Sequence, residues 1–270
     1  LKKSDGLYRW HLGRALPLLN EKKVLKWFGT NTDIDDQKKL ESQKDVFLGI
    51  ASHELKTPVT SIKAYGQALE AMFRRKGDVK SAEQLAKMDA QVDKLTNLIA
   101  DLLDVTKIQS GKMQFHKANF DFNILVREVS EEIQRTTQNH TIINKLAKEK
   151  TLHGDRERIG QVMTNLITNA IKYSPNADKI IVRSTISKDK ITLCVEDFGV
   201  VIPKEKQDKV FEQFFRVSGP KQDTFPGLGL GLYISSEIVK REGGRIWVES
   251  AEGKGSTFCF SLPIKKVKML

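Results

Sequence analysis

The chain has 270 residues, of which 29% are charged and 39% hydrophobic, and its formal net charge is +11. This balance is typical of a soluble globular protein with about two domains, and it argues against a disordered chain. No run of about 20 apolar residues predicts a membrane segment. The basic residues are too dispersed for a nucleic-acid-binding arm. We therefore expect a cytoplasmic protein with no nucleic-acid partner.

The cysteines and histidines do not have the spacing of a metal site. Cys194 and Cys259 lie in alternating apolar stretches, so we expect two buried, reduced thiols. The five histidines are scattered without zinc-like pairing. No transition metal is predicted.

Residues 1 to about 34 have the alternation of strands, at Tyr8, Trp10 and Leu12 and again in residues 24–28. A segment this short cannot easily bury a core of its own. Two interpretations remain open. Residues 1–36 resemble the closing strands of a PAS sensor domain with an acidic exit into a helix, or they form a small hairpin that caps that helix.

Residues 37–111 have the pattern of two long helices joined by a short turn. The first is expected to begin near Gln37, capped by Asp35 or Asp36, and to end near Arg75, with Ser81 capping the second. The second helix carries the clearest apolar stripe in the chain and ends at Gly111. Two such stripes cannot be buried within one hairpin, so we expect a homodimeric four-helix bundle. The stripe comprises Leu85, Met88, Val92, Leu95, Ile99 and Leu102.

Residues 118–264 alternate between strand and helix patterns and predict an α+β domain, a mixed sheet with helices on one face. The whole chain is therefore expected to be multidomain, an antiparallel helical hairpin followed by an α/β sandwich. The predicted strands span 119–122, 141–146, 151–153, 179–186, 190–196, 245–250 and 256–262, and the helices span 124–134, 155–173 and 229–241.

Three stretches of this domain carry residues suited to a nucleotide. Gly227, Gly229 and Gly231 open into a helix, where backbone N–H groups and the helix dipole favour a phosphate. Asn165 and Asn169 lie one helical turn apart, and Lys172 and Tyr173 follow them, a set suited to Mg²⁺, phosphate and a nucleobase. Asp197 ends a strand beside Gly199, where its carboxylate could accept the amino group of adenine; an ordinary Asp-Gly turn is the alternative.

Taken in order, these stretches resemble the conserved boxes of sensor histidine kinases over residues 38 to 263. The apolar surroundings of His53 and the proline one turn beyond it complete the pattern. The matching stretches are His53–Pro58 (H-box), Asn165–Tyr173 (N-box), Asp197–Ile202 (G1 box), Phe211–Arg216 (F-box) and Gly227–Gly231 (G2 box).

The resemblance implies an ATP- and Mg²⁺-dependent kinase that phosphorylates His53 and passes the phosphoryl group to the receiver domain of a response regulator. Glu54 would orient His53 or take its proton. In the catalytic domain, Asn169 would bind Mg²⁺ with support from Asn165, and Tyr173 and Asp197 would contact adenine. The cations Lys172 and Arg216 would meet phosphates, and the loop between Arg216 and Gly227 would be the lid.

The resemblance also leaves alternatives. The fold is similar to gyrase- and chaperone-type ATPases, but these have a water-activating glutamate where this chain has Asn165. Glu54 and Thr57 match a Glu-x-x-Thr pattern, which implies phosphatase activity toward the regulator. Val201 stands where the G1 box has its second glycine. If that position needs positive φ, strain of about 1–3 kcal/mol would weaken ATP binding and leave mainly a phosphatase or docking scaffold.

Overall fold

A computed structural model describes residues 1–2, 6–20, 23–217 and 227–264, and only the backbone of Asp45, Leu48, Ser52 and His53. The chain divides into two compact units, residues 1–111 and residues 112–270. None of the helices in the described part of the chain is both long and apolar enough to cross a bilayer.

The first unit opens with an antiparallel hairpin. Strand β1 (His11–Asn20) pairs with β2 (Lys23–Asp33), from His11 opposite Asp33 to Asn20 opposite Lys23. The hairpin contacts the start of the following helix, because the Trp10 N–H donates to Asp35 Oδ1 at 3.2 Å. The predicted strands are therefore present, while the assignment of residues 1–36 to a PAS-like domain stays a prediction.

Two long helices follow, α1 (Asp35–Arg75) and α2 (Val79–Gln109). The predicted caps are wrong at both helices. Ile34 is the N-cap of α1, so Asp35 and Asp36 lie in its first turn, where their charge favours the positive end of the helix dipole. Asp78 caps α2 and accepts from the Ser81 N–H at 3.0 Å. Ser81 is a first-turn donor because the capping side chain lies two or three residues before the N–H it accepts.

The two helices form an antiparallel hairpin. Lys63 pairs with Asp93, and Gln67 Nε2 donates to Asp89 Oδ2 at 3.3 Å. On each helix, apolar side chains spaced seven residues apart are still exposed. We call these the heptad lines: Leu55, Ile62 and Leu69 on α1, and Met88, Leu95 and Leu102 on α2.

The second unit contains a five-stranded sheet in the order β4-β6-β7-β9-β8, in which β4 and β6 are parallel and the other neighbours antiparallel. A separate two-stranded sheet joins β3 to β5. The elements are β3 (Ala118–Asp121), α3 (Phe122–Gln134), β4 (Thr141–Lys145), β5 (Thr151–Gly154), α4 (Arg156–Tyr173), β6 (Lys179–Ser187), β7 (Lys190–Asp197), α5 (Gly231–Arg241), β8 (Arg245–Ala251) and β9 (Gly255–Pro263).

The core of this unit lies between the sheet and α3, α4 and α5. Alternate residues of β7, Ile191, Leu193 and Val195, are fully buried, as expected for a strand with one face against helices. The rings of Phe122 and Phe260 meet edge to face with their centroids 6.5 Å apart. The predicted mixed sheet with helices on one face is confirmed.

The prediction of two reduced cysteines is wrong. Cys194 and Cys259 are disulfide-bonded. They are direct partners on β7 and β9, with their Cα atoms 4.1 Å apart. Their separation of 65 residues in the sequence gave no sign of this proximity, which arises from strand pairing.

Candidate functional site

Helix α4 carries two asparagines that are held by hydrogen bonds. Its N-cap is Asp155, whose side chain accepts from the Arg158 N–H at 3.0 Å. One turn apart within the helix, Asn169 Nδ2 donates to Asn165 Oδ1 at 3.3 Å, and Asn165 Nδ2 donates to Ser235 Oγ of α5 at 2.9 Å. Because Asn169 Nδ2 makes this bond, the side-chain oxygen Oδ1 is the atom that Asn169 can offer to a metal.

Helix α5 begins against Asn165. A Cβ atom on Gly231, the first residue of the helix, would overlap the Asn165 side chain. Its N-cap is Leu230, whose side chain has no acceptor for the first N–H groups. The approach of α4 to α5 thus requires glycine, and the start of α5 has backbone donors suited to an anion.

The glycines before α5 lie beside the side chains of Lys172 and Arg216. A Cβ atom on Gly227 would lie 3.2 Å from Lys172 Nζ, and one on Gly229 would lie 3.3 Å from Arg216 Cγ. Gly229 has φ +71°, and its carbonyl oxygen accepts from the Phe214 N–H at 3.2 Å. The structure therefore brings the G2 and F-box residues to the end of α4. The predicted lid, the loop between Arg216 and Gly227, lies outside the described residues except for Val217.

Asp197 is buried at the end of β7, with 2% of its surface exposed. Burial raises the pKa of this carboxyl to about 6, although hydrogen bonds from the backbone of Gly199 and Ser256 act in the opposite direction. The Gly199 N–H donates to Asp197 Oδ1 at 3.0 Å. Asp197 is thus a buried carboxyl with a perturbed pKa, a feature that is common in functional sites.

The turn after Asp197 is attached to the end of α4. The Val200 N–H donates to the Tyr173 carbonyl oxygen at 3.1 Å, and a Cβ atom on Gly199 would overlap that same oxygen. Gly199 is therefore needed for the close approach of two backbone segments. This contact also brings Tyr173 and Asp197 to the same edge of the site.

Val201, which stands where the G1 box has a glycine, does not have the positive φ that would strain it. Among the described residues other than glycine, positive φ occurs at Lys188 and Phe214. The turn is held on either side of Val201, where Val200 O accepts from Ser256 Oγ at 3.1 Å and the Ile202 N–H donates to Ser250 Oγ at 2.9 Å. The premise of a strained, left-handed Val201 is wrong.

Three further residues support the site and were missed from the sequence. Ser235 fixes Asn165, and Ser256 and Gly255 pack against the Asp197 backbone, where a Cβ on Gly255 would overlap the Asp197 carbonyl oxygen. Ser235 lies four residues after Gly231, so helical spacing alone could have placed it on the face toward α4. Ser256 and Gly255 depend on the β7–β9 register.

The H-box residues belong to the first unit. His53 lies within α1, and its side chain is outside the described part of the structure. Glu54 and Thr57 are exposed, and Thr57 lies four residues after His53, on the same helix face. Pro58 lies within α1, which continues to Arg75.

Each of the two units contains a segment that matches a known protein family. Residues 43–111 match the His Kinase A (phospho-acceptor) domain, and residues 154–266 match the histidine kinase-, DNA gyrase B- and HSP90-like ATPase family. The chain belongs to the sensor histidine kinase family. The two matched segments cover His53 and the site built by α4, Asp197 and α5 respectively.

Curated relatives of this histidine kinase include the sensor protein kinase WalK. The chain is 33% identical to WalK of Staphylococcus aureus (strain MRSA252) over 241 residues, which cover 87% of the chain and 39% of that protein. It is also 33% identical to WalK of Staphylococcus saprophyticus over 235 residues, covering 86% of the chain and 38% of that protein. The chain thus spans about two fifths of the length of these relatives.

Solved structures share the fold. Full-length ShkA in complex with AMPPNP has a TM-score of 0.65 at 23% identity, over 82% of this chain and 46% of ShkA. The histidine kinase AdeS of Acinetobacter baumannii has a TM-score of 0.56 at 25% identity, over 79% of this chain and 98% of AdeS. At these identities, the likeness concerns the architecture rather than individual residues.

The raised pKa of Asp197 predicts an unusual pH dependence of stability. Below about pH 3 the carboxyl is protonated in both the folded and unfolded states, whereas between about pH 4 and pH 6 the unfolded state alone is ionised, because burial raises the folded-state pKa to about 6. Stability of the unliganded wild type should therefore fall, relative to Asp197→Asn, by roughly 2–3 kcal/mol between pH 4 and pH 7. Urea unfolding at each pH measures this difference, and a constant difference would contradict it.

Proposed function

We propose that this chain is the kinase core of a sensor histidine kinase, which transfers the γ-phosphoryl group of ATP to His53. The observation that carries the proposal is the convergence of the asparagine pair, the Lys172 ammonium group, the Arg216 side chain and three glycines near the start of α5. Asp197 lies at the other edge of the same site, beside Tyr173. ATP matches this arrangement, because its phosphates would lie near the start of α5 and its adenine near Asp197.

The residues present also fit Mg²⁺ carried by ATP. Mg²⁺ prefers oxygen ligands and keeps several waters, so one amide oxygen from Asn169 beside phosphate oxygens is a suitable set. Asn165, held by Ser235, fixes the orientation of Asn169. The metal would neutralise phosphate charge, while Lys172 and Arg216 would supply cationic partners for the phosphate oxygens.

The acceptor is the neutral imidazole of His53. A ring nitrogen attacks the γ-phosphorus, so an N–P bond forms as the P–O bond to ADP breaks. Glu54, the next residue on α1, orients the ring or accepts the proton from its other nitrogen. The phosphoryl group then passes to an aspartate in the receiver domain of a separate response regulator.

A second activity is proposed for Thr57. Its side chain is exposed one turn beyond His53, on the same face of α1. There its hydroxyl group can position a water molecule for hydrolysis of the phosphorylated regulator, together with Glu54. This would make the chain a phosphatase for its partner as well as its kinase.

The gyrase- and chaperone-type ATPase alternative is not favoured. Asn165 occupies the position of the water-activating base, and its side-chain amide forms hydrogen bonds with Ser235 and Asn169. An amide has no titratable proton acceptor for water. Transfer to a protein nucleophile is therefore favoured over hydrolysis of ATP.

The partner of the hairpin is proposed to be a second copy of the chain. Leu95 and Leu102 on α2 are 48% and 45% exposed, and Leu55 and Ile62 on α1 are each 50% exposed. Apolar side chains that recur every seven residues on both helices indicate a further helical layer. A dimeric four-helix bundle buries both heptad lines at once.

Incubation with labelled ATP and Mg²⁺ tests the transfer. The wild type should acquire acid-labile label on protein, and His53→Gln should acquire none, because it lacks the nucleophile. Val201→Gly should differ from wild type by less than about threefold, since Val201 carries no left-handed strain. Label that survives in His53→Gln would end the proposal, and steady phosphate release without protein label would favour the ATPase class.

Gly231→Ala tests the site without removing a functional group. The new methyl group must displace the Asn165 side chain, so the Ser235–Asn165–Asn169 chain of hydrogen bonds breaks while the fold can persist. We expect Mg-AMPPNP to bind about tenfold more weakly by calorimetry. Gly160→Ala, also in the second unit, is the control, because its Cβ would meet Leu125 at an ordinary 3.4 Å. Equal affinities in the two variants would contradict the assignment of Asn165 and Asn169.

Substitution within a heptad line tests the dimer. Leu95→Glu introduces a charge into the proposed bundle interface and should convert the dimer to monomer in sedimentation equilibrium. Val79→Glu, at the exposed first residue of α2, is the control and should remain dimeric. A Leu95→Glu chain that sediments as the wild type would rule out this interface.

A further inference from the structure

The disulfide between Cys194 and Cys259 lies on the face of the sheet that is turned away from the helices. Residues Ile191, Leu193 and Val195 of β7 are buried, so Cys194 points to the opposite side. Cys194 is partly exposed, whereas Cys259 is 3% exposed. Cys194 is therefore the cysteine of the pair that solvent reaches in the folded chain.

The surroundings of the bond on this face are polar or aromatic. Arg183 on β6 is the strand partner of Cys194, and Trp247 on β8 is the strand partner of Cys259. Arg183 is paired with Glu196 at 2.5 Å, on the same face. The disulfide thus lies in a strip of side chains that water can reach, unlike the apolar core beneath the helices.

The bond also lies close to the proposed adenine contact. Cys194 precedes Asp197 by three residues on β7, and Cys259 follows Ser256 by three residues on β9, a distance of about 10 Å along the strands. Asp197 and Ser256 are themselves strand partners, and the Ser256 backbone hydrogen-bonds to the Asp197 carboxylate. The disulfide therefore restrains the two strands that hold Asp197.

We propose that Cys194–Cys259 is a reversible thiol–disulfide site, whose substrates are low-molecular-weight thiols and disulfides and whose oxidation strengthens nucleotide binding. The coupling to nucleotide rests on the proposed function, whereas the exchange reaction does not. In the oxidised chain the bond holds β7 against β9 beside Asp197. In the reduced chain the backbone ladder and the packing of side chains hold them, without a covalent link.

The reaction balances as two exchange steps. An external thiolate attacks Sγ of Cys194, the more exposed of the two cysteines, and the bond to Cys259 breaks, so that Cys259 leaves as a thiolate and is protonated. A second external thiolate then attacks the external sulfur of the mixed disulfide and releases Cys194. Two external thiols are thereby oxidised to one disulfide as the two cysteines are reduced, and the reverse sequence reforms the bond.

The test uses the full chain in glutathione buffers of varied ratio, without denaturant. Alkylation followed by mass spectrometry counts the free thiols, and calorimetry gives the Kd of Mg-AMPPNP for each form. We expect two thiols to appear together in reducing buffer and to disappear on reoxidation, and the Kd to rise about threefold on reduction. The variant Cys194→Ser/Cys259→Ser should have the Kd of the reduced form in every buffer.

Each other outcome is decisive. If the thiols appear only at urea concentrations that unfold the chain, the proposal of a thiol–disulfide exchange site in the folded chain is wrong. Thiols that appear under native conditions with an unchanged Kd would overturn the coupling to nucleotide. If neither form binds AMPPNP, the proposed function fails, and the thiol count alone still decides whether the site exchanges.

Discussion

The candidate site depends on the contact between the end of α4 and the turn after β7. The Tyr173 carbonyl oxygen accepts from the Val200 N–H at 3.1 Å and leaves no space for a side chain at Gly199. Without this contact, the helix that carries the asparagines and the strand that ends in Asp197 would be held together only through the core. Because backbone atoms are in direct contact, the separation of the two halves of the site is set by a backbone hydrogen bond and close backbone packing rather than by flexible side chains.

Burial of Asp197 has an energetic cost. The carboxyl is out of water, and its pKa is raised because the two backbone hydrogen bonds do not fully offset the loss of hydration. An amino group from a ligand would add a further donor to this carboxylate. The proposed adenine contact would therefore offset part of the cost that lowers stability at neutral pH.

The helices, the strands and their order followed from periodicity and turn residues, since apolar side chains repeat at intervals of two or three to four along the chain. Contacts that depend on the pairing of distant strands could not be predicted from these patterns. Cys194 and Cys259 are partners because of the β7–β9 register, and Ser256 supports Asp197 for the same reason. Val201 shows a different limit, because a missing glycine indicates strain only if the backbone there needs positive φ, and it does not.

Helix α5 begins at Gly231, beside Asn165, and ends at a polar cluster. Beyond its last turn, the buried Glu242 accepts from Lys117 Nζ at 2.9 Å, and Arg241 donates to the Met113 carbonyl oxygen at 3.2 Å. Residues 113–117, which follow the hairpin in sequence, are therefore tied to a helix about 16 Å long that begins at Gly231. A shift of that segment must either break the ion pair between Lys117 and the buried Glu242 or move α5 as a rigid body. Since Gly231 packs directly on Asn165, movement of α5 would reach the asparagine pair without any change in α4 itself.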